Sequence, residues 1–316
     1  MRRIAMTVAW MLALSTAPAA AQSHLLIISG LAGEPRLADQ FHAWSTGMAD
    51  AAVERFGMPR ERITYLAEDQ SRDPSRIAGK STKENIDAEL KRIASEAGPN
   101  DRVLVLFFGH GSANGEEGRI NLPGPDLTAS ELATMLDRFP TQQVVVVNTT
   151  SASGAFQEAL AGKNRTVITA TKSGLEQNET VFARFFVEAF TGDGADTNKD
   201  GQVTILEAYD FATAEVERFY DSDSRLQTEH SVLGGDRELA RAFSLGGGAA
   251  RAAAETPASP ELRGLVEQRE ALEAQVQALT ARKDQMEEAE YQRELERLLL
   301  ELARTNREIR EREGTK

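Results

Sequence analysis

Between His24 and about Gly248 the chain alternates short apolar runs with longer amphipathic stretches. The runs "HLLIISG", "RITYLA", "DRVLVLFFG", "QVVVVN" and "RTVITAT" have the length and composition of strands. Val103 to Phe108 and Val144 to Val147 are continuously apolar, as strands covered on both faces should be. Leu37 to Phe56, Thr82 to Ala97, Ala129 to Phe139 and Thr180 to Phe190 carry helical spacing. Ser81, three residues before Glu84, supplies a capping signature for the second of these. The alternation predicts an α/β fold, a mainly parallel sheet flanked by helices, over residues 22–248.

The pattern then changes. "SLGGGAARAAAETPASP" is rich in Gly, Ala and Pro and reads as a linker centred on 249–260. In 261–313, Leu265, Leu272, Leu279 and Met286 recur every seven residues, with Leu262 and Val276 as a partial second seam. Leu295, Leu302 and Ile309 resume the spacing after an interruption near Glu288 to Tyr291. This predicts a C-terminal coiled-coil helix able to join copies of the chain. Arg269 and Lys283 in the second seam leave open a single solvated helix packed on the globular part.

The amino terminus changes the picture of where this fold resides. Arg2 and Arg3 precede an apolar stretch from Ile4 to Leu14 and an A-x-A ending at Ala19 to Ala21, which reads as a secretory signal over 1–21. The apolar stretch falls short of the roughly 18–20 residues a spanning helix needs, so a membrane anchor is the weaker reading, and no later segment predicts a span. Secretion or a periplasmic location is expected. The cysteine count is zero, which removes disulfides, thiolate metal sites and any thiol nucleophile. The formal net charge is −13, and losing Arg2 and Arg3 with the signal takes it to −15, which argues against nucleic-acid partners and in favour of cationic ones.

"DTNKDGQVTILE", Asp196 to Glu207, matches the twelve-residue EF-hand loop at every specified place. Calcium takes six to eight oxygens, and alternate residues of a tightly curled loop supply them. Asp196, Asn198 and Asp200 would give side-chain oxygens, Gln202 its carbonyl, Thr204 a direct or water-mediated contact, and Glu207 two oxygens, with Gly201 at the sharp turn. A polar turn without metal is the plainer alternative. "TGDGA" separates the preceding helix from Asp196, so that helix is not expected to feed the loop directly.

The strand "VLVLFFGH" ends in His110-Gly111, and "GSANGEEG" after it reads as a flexible loop. Some forty residues on, "VVVVNTTSASGAF" runs from an apolar strand into a small-residue turn. "FFGHGSANG" followed by this second strand and its Ser153-Gly154 pair resembles the legumain and caspase-like cysteine peptidases, also called hemoglobinase-type, over roughly His24 to Phe243. The resemblance implies that His110 takes the place of the catalytic histidine and Ser151 that of the cysteine nucleophile, with Thr149 where an acidic residue often stands. An alcohol needs a base in contact and usually a group orienting that base, whereas a thiol near neutral pH is already partly thiolate. The expected function is therefore a secreted, calcium-binding pseudo-peptidase working as a binding or assembly module with a peptide or protein partner. The alternative is an active serine-dependent peptidase or hydrolase using Ser151 and His110.

Overall fold

The computed structural model describes residues 21–115, 117–222, 224–246, positions 261, 264–265, 268–269, 271–272, 275–276 and 279, and 286–313. The linker 249–260 and the signal before residue 21 lie outside the described residues. Among the described residues seven strands form the central sheet: β1 (Ser23–Ser29), β2 (Ile63–Ala67), β3 (Gly79–Lys80), β4 (Arg102–Phe108), β8 (Gln143–Asn148), β9 (Arg165–Thr169) and β10 (Val232–Gly235). Their spatial order is β10-β9-β8-β4-β1-β2-β3. All neighbours run parallel except β10, which is antiparallel to β9. All five strands expected from the sequence are present.

Successive side chains on a strand point to opposite faces, and the continuous apolar runs fill both. Leu25, Ile27, Leu104, Leu106, Val145 and Val147 join one core with α1 (Pro35–Glu54), α5 (Phe182–Thr191), α6 (Ile205–Ser222) and α7 (Arg237–Ala242). Leu26, Ile28, Val103, Val105, Val144 and Val146 join the other with α2 (Lys83–Glu96) and α3 (Ala129–Leu136). Burying a Val, Leu or Ile side chain is worth about 1.5–3 kcal/mol, so these strands anchor the sheet from the middle outwards.

Two local expectations are corrected. The cap of α2 is Thr82, whose hydroxyl accepts from Asn85 N, while Ser81 is buried and donates to the Ser29 carbonyl at 2.6 Å. Ser81 is drawn inward because its N–H still pairs with the Ala67 carbonyl at the end of β2, which brings its hydroxyl to Ser29. The stretch after His110 is a small antiparallel sheet, β5 (Gly111–Asn114), β6 (Glu117–Ile120) and β7 (Leu127–Thr128), where a loop was expected. Its short strands are mostly polar, and Gly115 at φ 64° turns the chain between the first two.

The heptad leucines meet within the chain. The described residues of 261–279 are helical, and α8 spans Glu288–Glu313. Leu272, Leu279, Tyr291, Leu298 and Leu302 form one apolar cluster, Leu265 packs against Ile309, and Arg312 lies 3.8 Å from Glu261. Residues near the start of the first arm thus meet residues near the end of the second, the signature of an antiparallel helical hairpin. The phase slip at Glu288 to Tyr291 marks the start of its second arm. Among the described residues no helix is long and apolar enough to cross a membrane.

Candidate functional site

The strand order reverses between β1 and β4: β2 and β3 lie to one side, β8 and β9 to the other. In open α/β sheets the crevice beyond the carboxyl ends at such a point is where ligands bind. Gly30 follows β1 there, Gly109-His110 follows β4, and Thr149 to Ser151 follow β8. Both sequence-predicted residues, His110 and Ser151, line one small cavity of about 10 Å³ with Phe41 and Trp44 of α1 and with Glu179 and Thr180. That is room for about one water.

The two residues share the cavity without bonding to each other. Ser151 is 6% exposed, its Oγ donates to the Gly111 carbonyl at 2.9 Å, and the Gly111 N–H donates back to Oγ at 3.2 Å. His110 Nε2 lies 3.2 Å from the Ala32 carbonyl, so that nitrogen carries its proton into a backbone bond, and the ring stands edge-on to Phe41. Thr149 is 2% exposed and its hydroxyl donates to the Phe107 carbonyl at 2.7 Å. Ala152, beside Ser151, is held at φ 54°, a left-handed conformation of the kind that marks tight, over-determined turns. Its N–H donates to the Glu176 carbonyl at 2.7 Å.

Beyond Ala32, the ends of β1 and β2 and the start of α1 enclose a second cavity of about 300 Å³. Glu34, Glu68 and Asp69 line it with Arg72, His42 and Tyr65 on one hand and Pro35, Ala38 and Phe41 on the other, so its wall is mixed and carries three carboxylate side chains to one arginine. His42 is shifted down by burial, which favours its neutral form beside the Tyr65 hydroxyl.

The loop 196–207 follows the C-terminal end of α5, whose opposite end begins just after Thr180 of the cavity. As the sequence suggests, α5 stops at Thr191, and Arg55 caps it by donating to the Phe190 and Gly192 carbonyls. Asp196 accepts from Asp200 N and Gly201 N, Asn198 Oδ1 accepts from Asp200 N, and Asp200 accepts from Gln202 N at 2.7 Å. Glu207 bonds Thr204 with one oxygen and reaches back to Thr197 with the other, which closes the loop beside Asp196. Burial pushes the Asp196 carboxyl above its ordinary value, the Gly201 N–H opposes that, and the Glu207 charge adds to the push. The donor set is all oxygen, the chemistry calcium takes. Among the described residues no three His, Asp or Glu groups form a metal cluster by themselves, and an EF-hand also draws on amide, hydroxyl and carbonyl oxygens.

Comparison with known proteins decides the family. Residues 75–242, more than half of the chain, match the Peptidase C13 family. The chain belongs to Peptidase C13. A crystal structure of protein GSU0716 from Geobacter sulfurreducens is similar over 69% of this chain and 96% of that one, at 13% identity and a TM-score of 0.46. No curated protein matches the chain.

In this Peptidase C13 chain, sequence reading missed the residues that surround the two motif positions. Glu176 pairs with His230 Nδ1 at 2.6 Å and accepts from the Lys172 and His230 N–H groups. Burial opposes its ionisation, but these bonds outweigh it and hold the carboxyl below its ordinary range. The pair braces the 172–179 segment that carries Glu179 and Thr180 to the cavity. No spacing signal joins Glu176 to His230, which lies 54 residues later.

Proposed function

We propose that this Peptidase C13 protein is a secreted or periplasmic, calcium-binding pseudo-peptidase that serves as a binding or assembly module. One observation carries the reading: the hydroxyl of Ser151, which the motif resemblance would put at the place of the family's cysteine, is bonded in both directions to the backbone of Gly111, and His110 is turned to Ala32. A serine nucleophile needs a base in contact and a second group steadying that base. Neither bond of Ser151 supplies one, and its proton goes to a peptide carbonyl that cannot act as a base.

Partner recognition would then use the ends of β1 and β2. The cavity of about 300 Å³ is large enough for a side chain, and its apolar surface with three carboxylates suits a long basic one, while the roughly 10 Å³ space between His110 and Ser151 admits about one water. Asp196, Asn198, Asp200 and Glu207, with the Gln202 carbonyl and Thr204, would hold calcium. The ion would supply a structural cross-link. With three carboxylates and a single loop, a dissociation constant on the order of 10⁻⁴–10⁻³ M is expected. The outer face of the C-terminal hairpin offers further contacts.

A serine-reactive fluorophosphonate distinguishes this reading from a serine hydrolase. The purified protein is expected to remain unlabelled, as is the Ser151→Ala variant. Labelling of the wild type that disappears in the variant would overturn the pseudo-peptidase reading.

A further inference from the structure

The loop 196–207 and the C-terminal hairpin are separate in sequence and joined in space. Asn306 on α8 is 5% exposed, and its side-chain amide donates to the Lys199 carbonyl at 2.5 Å, across 107 residues. Leu302, one turn earlier, is fully buried, and Ile309, three residues later, packs on Leu265, so the helix presenting Asn306 is already fixed against the first arm.

The partner carbonyl has a particular place. Lys199 sits between Asn198 and Asp200 and is held at φ 59°, with Gly201 at φ 83°. Its C=O and the N–H of Asp200 belong to one rigid peptide plane. The other side of that plane donates to Asp196 Oδ1 at 3.1 Å and to Asn198 Oδ1 at 3.0 Å. Fixing the Lys199 carbonyl therefore fixes the N–H that orients oxygens of two candidate ligands.

We infer that Asn306 is a positioning residue for the loop, so that calcium and the docked hairpin strengthen each other. This rests on the calcium reading above. Coupling of this kind is reciprocal: whatever factor docking adds to ion affinity, the ion adds to docking.

The test is calcium titration calorimetry on the full chain, wild type and Asn306→Ala, with hydrogen exchange of α8 amides in calcium and in chelator. Loss of one ordinary hydrogen bond predicts affinity lower by roughly twofold to tenfold in the variant. Calcium should slow exchange in wild-type α8 and have little effect in the variant. The wild-type exchange measurement needs no substitution, so it decides the matter even where Asn306→Ala folds poorly. Asn306→Gln, which keeps the donor on a longer stem, should recover part of the affinity. Calcium binding by the wild type with unchanged α8 exchange and equal affinity in the variant would overturn the inference alone. Absence of binding at millimolar calcium would overturn the calcium reading and this inference with it.

Discussion

Glu229 shows how much a single side chain can hold out of sight of its neighbours in sequence. It is 1% exposed and accepts from the N–H groups of Val181 and Phe182 at the start of α5 and from the Tyr220 hydroxyl. Burial raises its carboxyl above the ordinary 4.5, against the pull of those N–H groups. A raised carboxylate favours folding while protonated. Its contribution is full below 4.5 and is lost as pH rises through the folded value. Denaturant unfolding across pH should therefore show the wild type losing stability relative to Glu229→Gln over that interval, with parallel curves on either side. Parallel curves throughout would remove the burial argument. His110 was legible because it follows an apolar strand, and Ser151 through the resemblance carried by the Ser153-Gly154 pair in the turn after a second one. The glycines beside them have a reason only the structure shows: a Cβ on Gly111 would lie 2.4 Å from the Ser151 carbonyl oxygen, and one on Gly154 2.1 Å from Ser173 N. Those contacts are made between strand ends, and no local pattern encodes them.

At the scale of elements, the loop 196–207 was readable because its candidate ligands fall within twelve consecutive residues. Its supports were not. Thr204 pairs with Ser244, Ile205 N donates to the Phe243 carbonyl, and Asn306 arrives from α8. If the loop holds calcium only in the folded state, about 100 times the dissociation constant should stabilise the protein by about 2.7 kcal/mol. Thermal melting in calcium and in chelator should show that gain in the wild type and its loss in Glu207→Gln, which weakens the closing ligand. Superimposable wild-type melts at millimolar calcium would remove the ion from the account. Helix limits were legible to within a few residues, since apolar spacing marks where packing begins. The β5-β6-β7 sheet was not, because its strands lean on the Ser151 turn more than on their own composition.

For the molecule as a whole, alternating strand and helix patterns predicted the parallel architecture, but not which strands lie side by side. Strand order depends on pairings between distant segments, and β10 completes the sheet after α6 and the chain that follows it. The heptads predicted a helix joining copies of the chain or packing on the globular part, and not the contact of two helices within one chain. Leu272, Leu279, Leu298 and Leu302 are at most 5% exposed inside the hairpin, so the seam has little left to offer another copy. Sedimentation should give one species of monomer mass, independent of concentration, and a dimer dissociating on dilution would assign association to the hairpin's outer face or the sheet domain. The margins of the central sheet bear on the same question. β3 has two residues, and β10 has four and ends in Gly234-Gly235. Open rows of peptide groups template fibril growth, and these two are too short for an incoming strand to grip. Stacking of native molecules strand against strand is thus discouraged at the very places where an open sheet is most vulnerable.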